Sequence, residues 1–170
     1  TDPEAIPDES ILAATSFAGS LDCDLHVTIF AVDIPEVSST LGSLVVDIRG
    51  LARAAEERSK AESHRLQRLV QGAAGSQLSV TCTSRTVAMG TSTDVAATEA
   101  RYFDLVVLPW SAESLGAQEM AQAIIFGSGR PMILVPPLAR PAIVDHIAVA
   151  WDASRAAARA LGDALPLLTK

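Results

Sequence analysis

Two kinds of apolar run alternate along this chain. The first is short, unbroken and rich in β-branched residues: DLHVTIFAV at 24–32, QLSVTCTSRTVAM at 77–89, DLVVLPW at 104–110, MILVPP at 132–137 and HIAVAW at 146–151. Runs of this length and composition predict strands. DLVVLPW lacks alternation, as a parallel strand covered on both faces should. The second kind spaces its apolar residues by three and four. Leu41, Leu44, Val45, Ile48, Leu51, Ala52 and Ala55 form one stripe in the stretch 41–71, and RAAEERSKAESHRLQRL leaves the outer face polar. That spacing predicts a long helix with a solvated charged face, on which Glu56 and Lys60 form an i,i+4 pair. Further helices are predicted over 11–21, 90–103, 114–126 and 154–168. GAAGS at 72–76 and GSGRP at 127–131 supply stops, and Asp152 or Ser154 supplies a cap for the last helix.

Strands that alternate with helices of this length imply right-handed crossovers. The fold class expected is α/β, a parallel five-stranded open sheet with helices on both faces, in the manner of a Rossmann fold. Ligands in such sheets bind beyond the carboxyl ends of the strands. A site is therefore expected near Val32, Met89, Pro109 and Trp151. One feature departs from the usual order: helix 11–21 has no strand before it, and the strand–helix pair 146–168 has no sequel.

Composition narrows the function classes. The 170 residues are 49% hydrophobic, 19% charged and 4% aromatic, which suits one core built of Ala, Val, Leu and Ile. A net charge of −7 leaves no basic excess to neutralise phosphates, so no nucleic-acid surface and no acidic membrane surface is expected. No apolar run approaches the roughly 18 residues of a membrane span. The acidic start TDPEAIPDES has no signal-peptide pattern, and a cytoplasmic location is expected. Cys23 and Cys82, with no CxxC and no Cys/His cluster, are expected to be reduced thiols.

The ordered set of segments resembles the universal stress protein family in its tandem-domain form. DLHVTIFAV is similar to the family's second strand, whose end contacts adenine in nucleotide-binding members. MGTSTDVAATEARYFDLVVLP is similar to the glycine, helix and "aDLIVmG" signature, with Gly90, Glu99, Ala100, Asp104, Leu105 and Val107 at corresponding places. RPMILVP resembles the "CPVLVV" strand, with Pro131 matched. HIAVAWDASRAAARALGDALPLL resembles the start of a second domain. The resemblance implies a domain over 1–140 without its first, central strand, then a linker and the first strand and helix of a second domain over 141–170. It also implies that His146 to Trp151 fills the central slot, in this chain or in a second copy by strand exchange. Homodimers or tandem pseudo-dimers are the assemblies it implies.

Nucleotide-binding members carry Gly-x2-Gly-x9-Gly-Ser/Thr directly after the "DLIVmG" strand. Glycines let the backbone approach phosphates, and the last pair opens a helix whose free N–H groups face the anion. Here Pro109 stands at the first glycine, with fixed φ and no N–H. Trp110 follows it. Counting back from Pro131, the helix-opening pair falls on Gln118 and Glu119, and the Glu119 carboxylate would repel a phosphate. Gly116 is a lone surviving glycine. Phe126 to Gly129, FGSG, ends a helix instead of starting one, where the dipole has the wrong sign for an anion. On the adenine side Val32 keeps the strand-end position. Asp152 matches the family's Asp after the first strand, with a helix cap as the competing role.

His26, His64 and His146 are isolated, and no metal-ligand spacing, nucleophile elbow or Walker loop appears. A non-catalytic protein is expected, with no cofactor. The leading expectation is a stress-response protein that does not bind ATP through this domain and acts by association. The alternative is an ATP-binding protein whose working phosphate loop lies in the second domain, and a small apolar or acyl ligand in the emptied cleft is a third possibility.

Overall fold

The computed structural model describes residues 7–33, 48–74, 78–137 and 146–168. In chain order the elements are α1 (Asp8–Ser20), β1 (Leu25–Asp33), α2 (Ile48–Ala73), β2 (Val80–Ala88), α3 (Ser92–Ala100), β3 (Val106–Pro109), α4 (Leu115–Ser128), β4 (Met132–Val135) and α5 (Arg155–Leu168). As far as β4 the alternation is the one the apolar runs predict. Positions 41–47 of the long predicted helix lie outside the described residues.

The expected five-stranded sheet does not form. The described strands make two separate parallel ribbons, β1 with β2 and β3 with β4. The first runs in register from Leu25 opposite Val80 to Asp33 opposite Ala88. The second runs from Val106 opposite Met132 to Pro109 opposite Val135. His146 to Ala150, predicted as the fifth strand, has no regular structure and pairs with neither ribbon. The β-branched pattern there was sound as a strand signal, but a strand needs a neighbour to bond to, and this segment meets none among the described residues.

Each ribbon therefore keeps two unpaired edges among the described strands, one on each of its strands, and those of β1 and β3 can be read from the register. Parallel ladders direct the backbone groups of alternate residues to opposite sides. The Leu25 N–H donates to the Ser79 carbonyl and the Met89 N–H to the Asp33 carbonyl, so the odd-numbered residues of β1 face β2. His26, Thr28, Phe30 and Val32 turn their backbone groups to the open edge. On β3, the Val106 N–H donates to Pro131 and the Trp110 N–H to Val135. Leu105, Val107 and Pro109 thus face the open edge there. Pro109 costs the β3–β4 ladder nothing, because its missing donor falls on the unpaired side.

The ribbons share helices rather than hydrogen bonds. Small residues let α1 approach closely: Ala13 and Ala14 are buried with Val135, against Phe17, Val107 and Ile133. α2 covers β1 and β2, and the Ser63 and Ser84 hydroxyls share a 2.7 Å hydrogen bond across that contact. Arg65 ties α2 to α1 through two bonds to Asp8 of 2.8 and 2.9 Å while also holding Glu62. On another surface Ala96, Ala100 and Ile124 of α3 and α4 form a buried cluster that Phe30 of β1 and Val106 and Met132 of the second ribbon pack against. Two helix ends are stitched by arginines. Arg101 donates to the Gly127 carbonyl of α4, and Arg130 donates to the Arg101 carbonyl just past α3. Both place a cation at the negative end of a helix dipole.

α5 stands apart. It has a well-separated apolar stripe, yet none of its residues is buried. No helix among the described residues is long and apolar enough to cross a membrane.

Candidate functional site

The connection from β3 to α4 lies where a phosphate loop would be sought, and its geometry shows how the sequence closes it. α4 begins at Leu115, not at Gln118. Its N-cap is Ser114, 6% exposed, whose hydroxyl accepts a 3.2 Å hydrogen bond from the Ala117 N–H. The Gln118 N–H already donates to the Ser114 carbonyl. Gln118 also sends its side chain back, donating to the Ala112 carbonyl at 2.8 Å and bracing the loop. The helix start is thus satisfied largely by its own residues. Gly116 lies in the first turn, and Glu119 is exposed one turn into the helix. Pro109 ends β3 with no donor to offer. Trp110, half-buried, is held by its N–H to Val135.

These four positions, Pro109, Gly116, Gln118 and Glu119, are brought together by one strand–helix junction. Val32 and Asp152 do not join them through any hydrogen bond or ion pair among the described residues. Val32 ends the other ribbon, where its N–H donates to Ser59 Oγ of α2 at 3.0 Å. Asp152 is exposed and accepts a 2.9 Å hydrogen bond from the Ser154 N–H. That interaction with Ser154 holds the Asp152 carboxyl below its ordinary value. The cap itself is Ser154, whose hydroxyl accepts from the Ala157 N–H at 3.0 Å. Asp152 therefore shapes the turn before α5, and Ala153 in that turn takes a left-handed φ of 63°. The stop role of FGSG is also visible: Gly129 caps α4 with φ 71°.

A cavity of about 670 Å³ opens elsewhere, lined among others by His26, Thr83, Arg85, Glu99, Tyr102 and Phe103. His26 stacks on Phe103 with ring centroids 5.2 Å apart. Arg85 and Glu99 approach at 3.6 Å, with Glu99 only 15% exposed. The second carboxylate oxygen of Glu99 is buried without a hydrogen-bond partner among the described residues. The walls offer one long ion pair and a stacked imidazole, and they bring no nucleophile together with a base in hydrogen-bond reach. Sequence reading passed over this cavity because its residues come from β1, β2 and α3. The available signal was Arg85, a charge in the middle of a strand, placed by the two-residue period on the same pleat face as Thr83 and Val87.

No group of three metal-ligating side chains occurs among the described residues. Cys23 and Cys82 are free thiols, and burial pushes Cys82 up from its ordinary value. No family model, curated protein or solved structure matches this chain.

Proposed function

We propose that this chain is a universal stress protein-like, non-catalytic protein that works by association, as a homodimer, and that it does not bind ATP through the β3–α4 junction. One observation carries the association reading. The segment 146–168 holds Ile147, Val149 and Trp151 at 53%, 51% and 58% exposure, followed by an amphipathic helix with no buried residue. Apolar surface concentrated in this way marks an interaction face more often than an idle one. The second half of the proposal is supported by Ser114 and Gln118, which use the helix start for the chain's own hydrogen bonds, and by Pro109, which withholds a donor.

Sedimentation equilibrium of the full chain tests the association, with a concentration-dependent dimer as the expected result. A monomer up to about 100 µM would overturn it. Titration with ATP, read by tryptophan fluorescence from Trp110 and Trp151, tests the other half. Saturable micromolar binding would overturn that half and favour a nucleotide-binding function.

A further inference from the structure

We propose that the cavity lined by β1, β2 and α3 binds an aromatic amino acid in its zwitterionic form. None of its lining residues belongs to the β3–α4 junction or to 146–168, so this site is independent of the association reading. Its volume of about 670 Å³ lies within the range of about 300–1,000 Å³ usual for small-molecule sites. Arg85 stands on β2 in register with Phe30 of β1. Phe30 packs against the α3–α4 cluster, and paired residues of a parallel ribbon point to the same face. β2 therefore turns a guanidinium toward α3, where two carboxylates, Asp94 and Glu99, line the opposite wall. Arg85 Nη2 and Glu99 Oε1 are 3.6 Å apart, longer than a hydrogen bond. Opposite charges thus face one cavity without being consumed by each other.

The walls select the ligand by charge and by shape. A guanidinium offers a planar fork to a carboxylate, and Glu99 and Asp94 offer acceptors to an ammonium. An α-amino acid carries those two groups on one carbon. It can place one on each wall and replace a long ion pair with two charge-assisted hydrogen bonds. A simple anion would face Asp94 and Glu99, and a simple cation would face Arg85. One wall penalises each of them, and neither penalises a zwitterion. The rest of the lining chooses the side chain. The chain has only four Phe, two Trp and one Tyr, and Tyr102 and Phe103 both line this cavity. His26 stacks on Phe103 at 5.2 Å, so a flat ring finds aromatic surface to pack against.

The test is isothermal titration of the full chain with four probes. They are L-phenylalanine, L-phenylalaninamide, which lacks the carboxylate, 3-phenylpropionate, which lacks the ammonium, and L-alanine, which lacks the ring. L-Phenylalanine is expected to bind with a Kd of about 1 mM or tighter, and each of the other three at least about tenfold more weakly. Arg85→Gln is expected to abolish the preference for phenylalanine over its amide while circular dichroism is unchanged. No binding of L-phenylalanine up to about 10 mM overturns the proposal. Equal binding of the amide or of 3-phenylpropionate also overturns it, since the site would then serve a cation or an anion. Equal binding of L-alanine overturns it too, because the aromatic wall would be unused. These titrations use the unaltered protein and decide the matter whether or not a variant folds. A folded Arg85→Gln chain that keeps the full preference for phenylalanine over its amide overturns the role given to Arg85, and the proposal with it.

Discussion

α4 and α5 begin alike and end differently. Both are 14-residue helices rich in alanine, and both start at a serine whose hydroxyl accepts from the N–H three residues on, Ser114 to Ala117 and Ser154 to Ala157. α4 buries Ala117, Ala121 and Ile124, and α5 buries none of its residues. Local sequence therefore suffices to write a helix and cap it, and it does so equally well in both places. Whether the apolar stripe is buried depends on a surface that the helix does not encode. α4 has α3 as that surface, while the apolar stripe of α5 is at most half-buried.

Substitutions can sharpen that contrast. The largest effect is expected at Ile124, 4% exposed in the α3–α4 cluster. Ile124→Ala should cost about 2–5 kcal/mol by transfer and cavity terms in urea unfolding. Leu161→Ala, at a half-buried position of α5, should cost less than half as much in dilute solution. An equal loss at both would mean that α5 is already packed in the monomer.

The same glycine replacement should change sign between the two helices. A Cβ on Gly127 would stand 3.0 Å from the Ala97 Cβ, while one on Gly162 would meet nothing within 4 Å. Gly127→Ala should thus destabilise by about 1–3 kcal/mol through overpacking. Gly162→Ala should stabilise α5 by about 0.5–1 kcal/mol, seen as added helicity. Next in size are the caps. Ser114→Ala should cost about 1 kcal/mol in thermal unfolding, and Ser154→Ala should lower helicity with little change in the melting of the body.

Acid gives the smallest contrast. The hydrogen bond to Arg65 holds Glu62 below its ordinary value, and Ser154 does the same for Asp152. A carboxyl with a depressed folded value contributes stability that is present above its unfolded pKa and lost as pH falls through the folded one. Below about pH 4 the Glu62–Arg65 pair within α2 should therefore weaken, and so should the turn before α5. Asp152→Asn should remove only the second loss, measured by helicity against pH.

Much of the fold was legible because periodicity reports on single elements. The blocks 24–32 and 77–89 became β1 and β2, and the steps of three and four ahead of GSGRP became α4, stopped at Gly129. The sheet was not legible, because strand order depends on which edges find partners. HIAVAW carries the composition of a strand whether or not a neighbour is present. The candidate site divides along the same line. Pro109, Gly116, Gln118 and Glu119 are close in sequence and stayed together at one junction. Val32 and Asp152 were linked to them only through the assumed sheet, and no hydrogen bond or ion pair among the described residues ties either to that junction. The Glu99 cavity draws on β1, β2 and α3, and no local pattern announces such a meeting.

Pro109 has a consequence for solubility. Folded proteins with two receptive strand edges can polymerise end to end, and exposed edges of this kind are a recognised route to fibrils. Here β1 and β2 each present an edge of nine residues, while β3 and β4 present edges of four, and the β3 edge ends at Pro109, which has no N–H. A strand added on the β1 side would find no equally good continuation through β3. Pro109 thus blunts the β3 edge against strand addition, and a residue that spoils a phosphate loop doubles as a guard at that one edge.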